Sequence, residues 1–263
     1  MIRVRIQGVG AWGPGFDDWP TLSAHLRDPA SGELPATNRP APTCIPPRER
    51  RRSPLAVKLA VEVAQQACEM ADLPPSEAAC LFAAGMGDMD ITDYLCRTLA
   101  ADDPMVSPTK FHNSVHNAPV GVWTISQSCH QASSAVSAFT HSVPASLLEA
   151  AIQASVEDRA VVWVCQDIAS PAPFRDILDT GAACGFGLLL TPPAQGSAGW
   201  ELDIELQEGP SDWPEPALGN LASLYRQNPS ARILPLLQRL STGETGPVNL
   251  PLNDQLTCRL VTG

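Results

Sequence analysis

Along the first 191 residues, apolar runs typical of strands alternate with segments in which apolar residues recur at helical spacing. The all-apolar run at 161–164 and the run at 181–190, punctuated by Gly185 and Gly187, are typical of strands covered on both faces. Apolar residues recur at helical spacing over 55–70, after a Ser53-Pro54 start signal. This alternation predicts an α/β fold over residues 1–191, with a mostly parallel mixed central sheet and helices on both faces.

The remaining elements follow the same reasoning. Strands are expected at 3–9, 80–84 and 132–138, and helices over 91–101, through Trp123 and over 140–154. Beyond Pro192, apolar and polar residues alternate over 200–207, two short leucine-rich helices follow, and a last alternating strand holds 256–260. We therefore divide the chain into a domain of residues 1–191 and a C-terminal extension, 192–263, packed on it.

Residues 8–13 match the pattern G-x-G-x-x-G of dinucleotide-binding folds. Pro14 and Gly15 interrupt the helix that such a site needs, and a proline-rich loop follows in place of the expected acidic strand end. We interpret these glycines as a tight turn at the exit of the first strand.

Composition narrows the function classes. The net charge of −11 argues against nucleic-acid binding, and no apolar run is long enough to span a membrane. The eight cysteines are scattered without a CxxC pair and are expected to be free and buried in a reducing compartment, so a cytoplasmic location is the expectation. His112 and His116 have the spacing of a zinc pair but lack a third ligand, so no metal and no cofactor are expected.

Residues 132–142 (ASSAVSAFTHS) predict a strand, a sharp turn at Phe139 and a helix. This geometry exposes a nucleophile at a helix N-terminus, where the helix dipole stabilises an anion. Phenylalanine has no lone pair with which to attack.

Three segments carry a resemblance to a known family. The segments are 4–10 (VRIQGVG), 50–55 (RRRSPL) and 107–121, the last of which contains FHNSVHN at 111–117. They resemble the N-terminal half of a β-ketoacyl synthase, a condensing enzyme of the thiolase fold. The last segment is similar to a subfamily of aryl polyene and xanthomonadin-type pigment pathways.

The resemblance implies a half-thiolase fold in which Phe139 stands in the place of the nucleophilic cysteine. The family's two catalytic histidines belong to a C-terminal half, and this chain has no histidine after His141. The strand at 132–138 would pair across the two-fold axis of a dimer. A set of residues is expected at the tunnel or interface: His112, Asn113, His116, Asn117, Trp123, Ser134, Val136, Ala138 and Phe139. For Trp123 and Phe139, the alternative is an ordinary core aromatic.

Three functions remain open at this point. The first is a non-catalytic, chain-length-factor-like subunit that pairs with an active ketosynthase as a heterodimer. The second is a stand-alone acyltransferase that uses Cys129 beside His130, or Ser133 or Ser134 with a histidine from 112, 116 or 141. The third is a docking module whose basic cluster meets an acidic acyl carrier protein, through Arg48, Arg50, Arg51 and Arg52.

Overall fold

A computed structural model describes residues 1–35, 37–178, 180–194 and 198–263. Their strands form one eight-stranded sheet in the order β3-β2-β4-β5-β1-β6-β8-β7. The strands are β1 (Ile2–Trp12), β2 (Ala79–Ala83), β3 (Ser133–Val136), β4 (Val161–Asp167), β5 (Cys184–Thr191), β6 (Trp200–Glu208), β7 (Gly246–Pro251) and β8 (Leu256–Thr262). The helices are α1 (Trp19–Arg27), α2 (Pro47–Arg52), α3 (Leu55–Met70), α4 (Met89–Leu99), α5 (Pro108–His112), α6 (Ala118–Ser126), α7 (Ser142–Val156), α8 (Ala222–Gln227) and α9 (Leu234–Thr242).

The α/β class and the helices on both faces are confirmed, but the sheet is not mostly parallel. Only the pairs β2–β3 and β2–β4 are parallel among the described strands. A parallel neighbour requires a crossover connection, usually a helix. The described part of the β4–β5 connection holds only a short 3₁₀ turn at 172–174, so β5 returns antiparallel to β4.

The sheet separates two apolar cores. Along β4, Val161, Trp163 and Cys165 point into the core beneath α7, whereas Val162 and Val164 point into the core beneath α3. This strict alternation explains why every residue of β4 is apolar until its last two positions. Strands β6 to β8 extend the same sheet, and the boundary at 191–192 stays a prediction.

The glycine pattern near the N-terminus has a packing origin. A tight turn does follow β1, at Gly13–Phe16, but Gly8 and Gly10 lie inside the strand and not in that turn. A Cβ at Gly10 or at Gly187 on β5 would overlap the carbonyl oxygen of Val63. The backbone of α3 therefore packs directly against the sheet at these glycines.

Two local predictions around the basic cluster are corrected. Arg48 to Arg52 form the short helix α2 instead of a loop. Ser53 does not cap α3, because its hydroxyl donates backwards to the carbonyl of Glu49 at 2.9 Å. The N-cap of α3 is Pro54, which makes no side-chain cap hydrogen bond.

Candidate functional site

The predicted strand, turn and helix are present around Phe139. Strand β3 ends at Val136, a 3₁₀ turn follows at Phe139–His141, and α7 begins at Ser142. Phe139 has a φ of +52°. Such a φ is an outlier for a bulky residue and persists only where the surroundings impose it.

Ser142 holds this turn in place. Its Oγ accepts the backbone N–H of Ala138 at 2.9 Å and donates to the carbonyl oxygen of Phe139 at 2.8 Å. Ser137 adds a third bond, from its Oγ to the carbonyl of Gly85 at 3.1 Å. The backbone at 137–142 is therefore a preformed elbow, and its tip carries a side chain that cannot act as a nucleophile.

A buried carboxylate anchors the loop beside the elbow. Asp167, at the end of β4, accepts hydrogen bonds from the N–H groups of Gly85 and Met86 at 2.9 and 3.2 Å. It also accepts one from the hydroxyl of Ser230 at 2.7 Å. Desolvation raises the pKa of the Asp167 carboxyl to about 6, although these hydrogen bonds oppose the shift. Sequence reasoning missed this residue, whose signal is the polar pair Gln166-Asp167 closing an apolar run.

Phe139 and Trp123 have opposite surroundings. Phe139 is 44% exposed, so it is not a core aromatic. Trp123, a residue of α6, is fully buried, with its ring centroid 6.4 Å from that of Phe82. The predicted interface position of Trp123 is therefore wrong, and Trp123 is a core residue.

Most of the other proposed interface residues lie at the surface. His112, His116, Asn117 and Ser134 are exposed, whereas Asn113, Val136 and Ala138 are half-buried. His112 ends α5 and His116 lies in the turn before α6, so the two histidines do not share a helix face. Large apolar side chains of the same region are also exposed, namely Phe111, Val115 and Ile125.

The two edges of the sheet differ. Edge strand β7 carries Pro247 and Pro251, which lack a backbone donor. Edge strand β3 has no proline, and its sequence, Ser-Ser-Ala-Val, is small and partly exposed. Carbonyls of Ala132 and Val136 face β2, where they accept the N–H groups of Cys80 and Ala84 at 2.9 and 3.3 Å. By alternation, the backbone groups of Ser133 and Ala135 face the open edge.

Cys129 lies at the other end of β3 from the elbow. It is 6% exposed, and its thiol contacts the carbonyl oxygen of Ala78 at 3.4 Å. Among the described residues, no hydrogen bond joins a histidine to Cys129, Ser133 or Ser134. The ring of His141 stacks on Trp213 with centroids 5.8 Å apart, and its Nδ1 lies 3.3 Å from the hydroxyl of Thr140.

Of the four arginines of the basic cluster, one is hydrogen-bonded to backbone carbonyls, and three form no ion pair with the described residues. Arg50 donates to the carbonyls of Ala41 and Pro42 at 3.2 and 2.9 Å. Arg48, Arg51 and Arg52 are exposed and form no ion pair with any described residue. Arg52 also lines a groove of about 260 Å³ with Thr109, which continues towards α6.

The described ranges hold neither a cluster of metal ligands nor a membrane-spanning helix. No group of three or more His, Cys, Asp or Glu side chains is placed there to hold a metal ion. None of the described helices combines the length and apolar character that a bilayer crossing requires.

Residues 23–242 match the family model of the β-ketoacyl synthase N-terminal domain. The chain belongs to that family. The elbow therefore occupies a condensing-enzyme fold, as the resemblance implied. No curated protein sequence matches the chain.

Solved structures show the same fold. The chain is similar to a ketosynthase in complex with its chain length factor from Xenorhabdus doucetiae, with a TM-score of 0.74, 21% identity, and coverage of 99% of this chain and 100% of that chain. It is similar to the ishigamide ketosynthase/chain length factor, with a TM-score of 0.73, 13% identity, and coverage of 100% and 99% respectively. It is also similar to a type II polyketide synthase acyl-carrier protein complex with its ketosynthase, with a TM-score of 0.79, 12% identity, and coverage of 100% and 99%. At these identities, the likeness establishes the thiolase-like fold.

Proposed function

We propose that this chain is a non-catalytic ketosynthase-like subunit that pairs with an active β-ketoacyl synthase. In the pair it would act like a chain length factor, by shaping the acyl tunnel during polyene- or fatty-acid-type chain elongation. The observation that carries the proposal is the elbow, where Phe139 is held at φ +52° and the residue is 44% exposed. A nucleophile is absent at that tip, yet the conformation that would present one is retained.

The surface around the elbow supports pairing. The open edge of β3 offers unpaired backbone groups, and such edges associate with other strands. The exposed apolar side chains of Phe111, Val115 and Ile125 lie in the segment from α5 to α6, and α6 packs against β2 and β3. A partner that covers this face would bury both features together.

The surroundings of Cys129 argue against a displaced nucleophile. The cysteine is buried, contacts a backbone carbonyl and has no hydrogen-bonded histidine among the described residues. Nucleophilic catalysis requires a base within hydrogen-bond reach of the attacking atom. We therefore favour the non-catalytic subunit over a stand-alone acyltransferase.

The free arginines of α2 suggest a secondary role in carrier contact. Arg48, Arg51 and Arg52 form a local positive surface on a chain of net charge −11. An acidic acyl carrier protein would be attracted there, while the acidic remainder leaves the main docking surface to the ketosynthase partner. Within this proposal, the resemblance of the 107–121 segment supports an aryl polyene type of pathway.

Co-expression with a candidate ketosynthase partner tests the proposal. We expect a one-to-one complex by size-exclusion chromatography, and an unstable or self-associated chain when it is expressed alone. Ala135→Pro should abolish the complex, because it removes a backbone donor that faces the open edge, whereas the matched Ala135→Ser should pair normally. A well-behaved monomer that binds no ketosynthase would refute the proposal.

A further inference from the structure

A small cavity lies next to the elbow. It has a volume of about 20 Å³, and its lining includes Ala84, Asp88, His116 and Gln166. Ala84 connects it to the elbow, because the Ala84 carbonyl lies 3.4 Å from the hydroxyl of Ser142. Ala84 therefore contacts both the cavity and the turn that carries Phe139.

At this cavity, the side-chain amide oxygen of Gln166 lacks a hydrogen-bond donor among the described residues. Its side chain lines the cavity and is only 3% exposed, and its Oε1 has no hydrogen-bond partner among the described residues. A buried amide group without a partner is unfavourable, and native proteins retain few of them. A volume of about 20 Å³ suffices for one oxygen-sized group.

The cavity lies next to two open grooves. Asp88 and Asn113 line both the cavity and an open groove of about 220 Å³, in which Lys110 and Arg52 also take part. Arg52 and Asn113 in turn line the neighbouring groove of about 260 Å³, which reaches the exposed Ile125. The shared residues place the cavity beside these two grooves, on the side of the chain that carries the apolar surface proposed for pairing.

We propose that Gln166 hydrogen-bonds a single hydroxyl or carbonyl oxygen on an acyl chain that reaches the cavity from these grooves. The subunit would then select acyl chains by the chemistry of a polar end and not only by their length. A purely hydrocarbon end would leave the Gln166 amide unpaired, which a site built around a polar group disfavours. This inference rests on the proposed function, because a paired ketosynthase must supply the acyl chain.

A competition experiment with the complex tests the inference. Two carrier-bound acyl chains of equal length, one ending in a hydroxyl and one in a methyl group, are supplied together, and the product ratio is read by mass spectrometry. Gln166→Met keeps the side-chain volume but removes the amide. We expect it to lower the hydroxyl-to-methyl product ratio about tenfold, the effect of losing one hydrogen bond. The control Gln207→Met, at an exposed position on β6, should leave the ratio unchanged.

The outcomes separate the two proposals. Pairing is measured by size-exclusion chromatography before the competition, and Gln166→Leu repeats the test if the methionine variant misfolds. A variant that pairs and elongates normally with an unchanged ratio would show that Gln166 binds only a water, and would overturn the inference alone. A wild-type chain that pairs with no ketosynthase would overturn the proposed function, and the inference with it.

Discussion

The hydroxyl of Ser142 bonds the backbone on both sides of Phe139, with its oxygen 2.8 Å from the carbonyl oxygen of Phe139 itself. This contact keeps a bulky residue at φ +52°, in a region that favours glycine. A protein that used this turn only to reverse the chain would have no reason to keep phenylalanine there. The strain is explained if the exposed ring has a partner to contact.

Replacing Phe139 with glycine should separate folding from association. Phe139→Gly relieves the unfavourable φ, so the free energy of unfolding of the chain should change by no more than about 1 kcal/mol. Loss of the exposed half of the ring should weaken the complex by about 2 kcal/mol, or roughly 30-fold in Kd. Calorimetric titration against the ketosynthase measures this change.

A matched control is available on α7. Val156, at the far end of that helix, is 76% exposed, and Val156→Ala should leave the affinity unchanged. Equal losses of affinity in the two variants would contradict a specific role for Phe139.

Asp167 should give the chain a pH-dependent stability. Its pKa of about 6 lies above the ordinary value of 3.8, so folding favours the protonated form. The stabilisation is complete below about pH 4 and is lost as the pH rises through 6, a difference of about 3 kcal/mol for a shift of about two pKa units. Urea unfolding between pH 4.5 and pH 8 should show about 2 kcal/mol of this difference, because part of it is already lost at pH 4.5.

Asp167→Asn isolates this contribution. The amide oxygen still accepts the N–H groups of Gly85 and Met86, and no charge is buried at high pH. The variant should therefore gain stability relative to wild type as the pH rises. A difference in unfolding free energy that stays constant with pH would show that Asp167 does not titrate in this range.

Two glycines of the fold should respond oppositely to alanine. Gly10→Ala places a Cβ on the Val63 carbonyl oxygen and should destabilise the chain by about 3 kcal/mol or more, because α3 must move away from the sheet. Gly121→Ala meets no atom within 4 Å inside α6 and should stabilise the chain by about 0.5–1 kcal/mol. Thermal unfolding of both variants checks the pair. Similar shifts in Tm would contradict the close α3–sheet contact.

The same glycines show how far sequence reasoning reaches. The period of the apolar residues predicted α3 and β4, because each is determined by the burial of its own residues. The role of Gly10 could not be predicted, because its neighbour Val63 is distant along the chain and approaches only in the folded state. The unpaired amide of Gln166 was missed for the same reason, since burial without a partner is a property of the tertiary structure.

Charge reversal on α2 should test the carrier contact. The combined variant Arg48→Glu, Arg51→Glu and Arg52→Glu removes cations that form no ion pair with the described residues, so stability should change little. Binding of the carrier protein to the complex should weaken several-fold at low salt, and the difference should shrink as ionic strength rises. Arg50 is left in place because it bonds the loop before α2. Unchanged carrier binding at low salt would remove α2 from the docking surface.

The most direct test of the account is the intact mass of each subunit after the complex has been incubated with acyl-loaded carrier protein. We predict an acyl adduct on the ketosynthase alone, with product formation nearly intact after Cys129→Ala, Cys165→Ala or Cys184→Ala in this chain. An adduct on this chain that disappears with Cys129→Ala, together with the activity of the complex, would contradict its non-catalytic role.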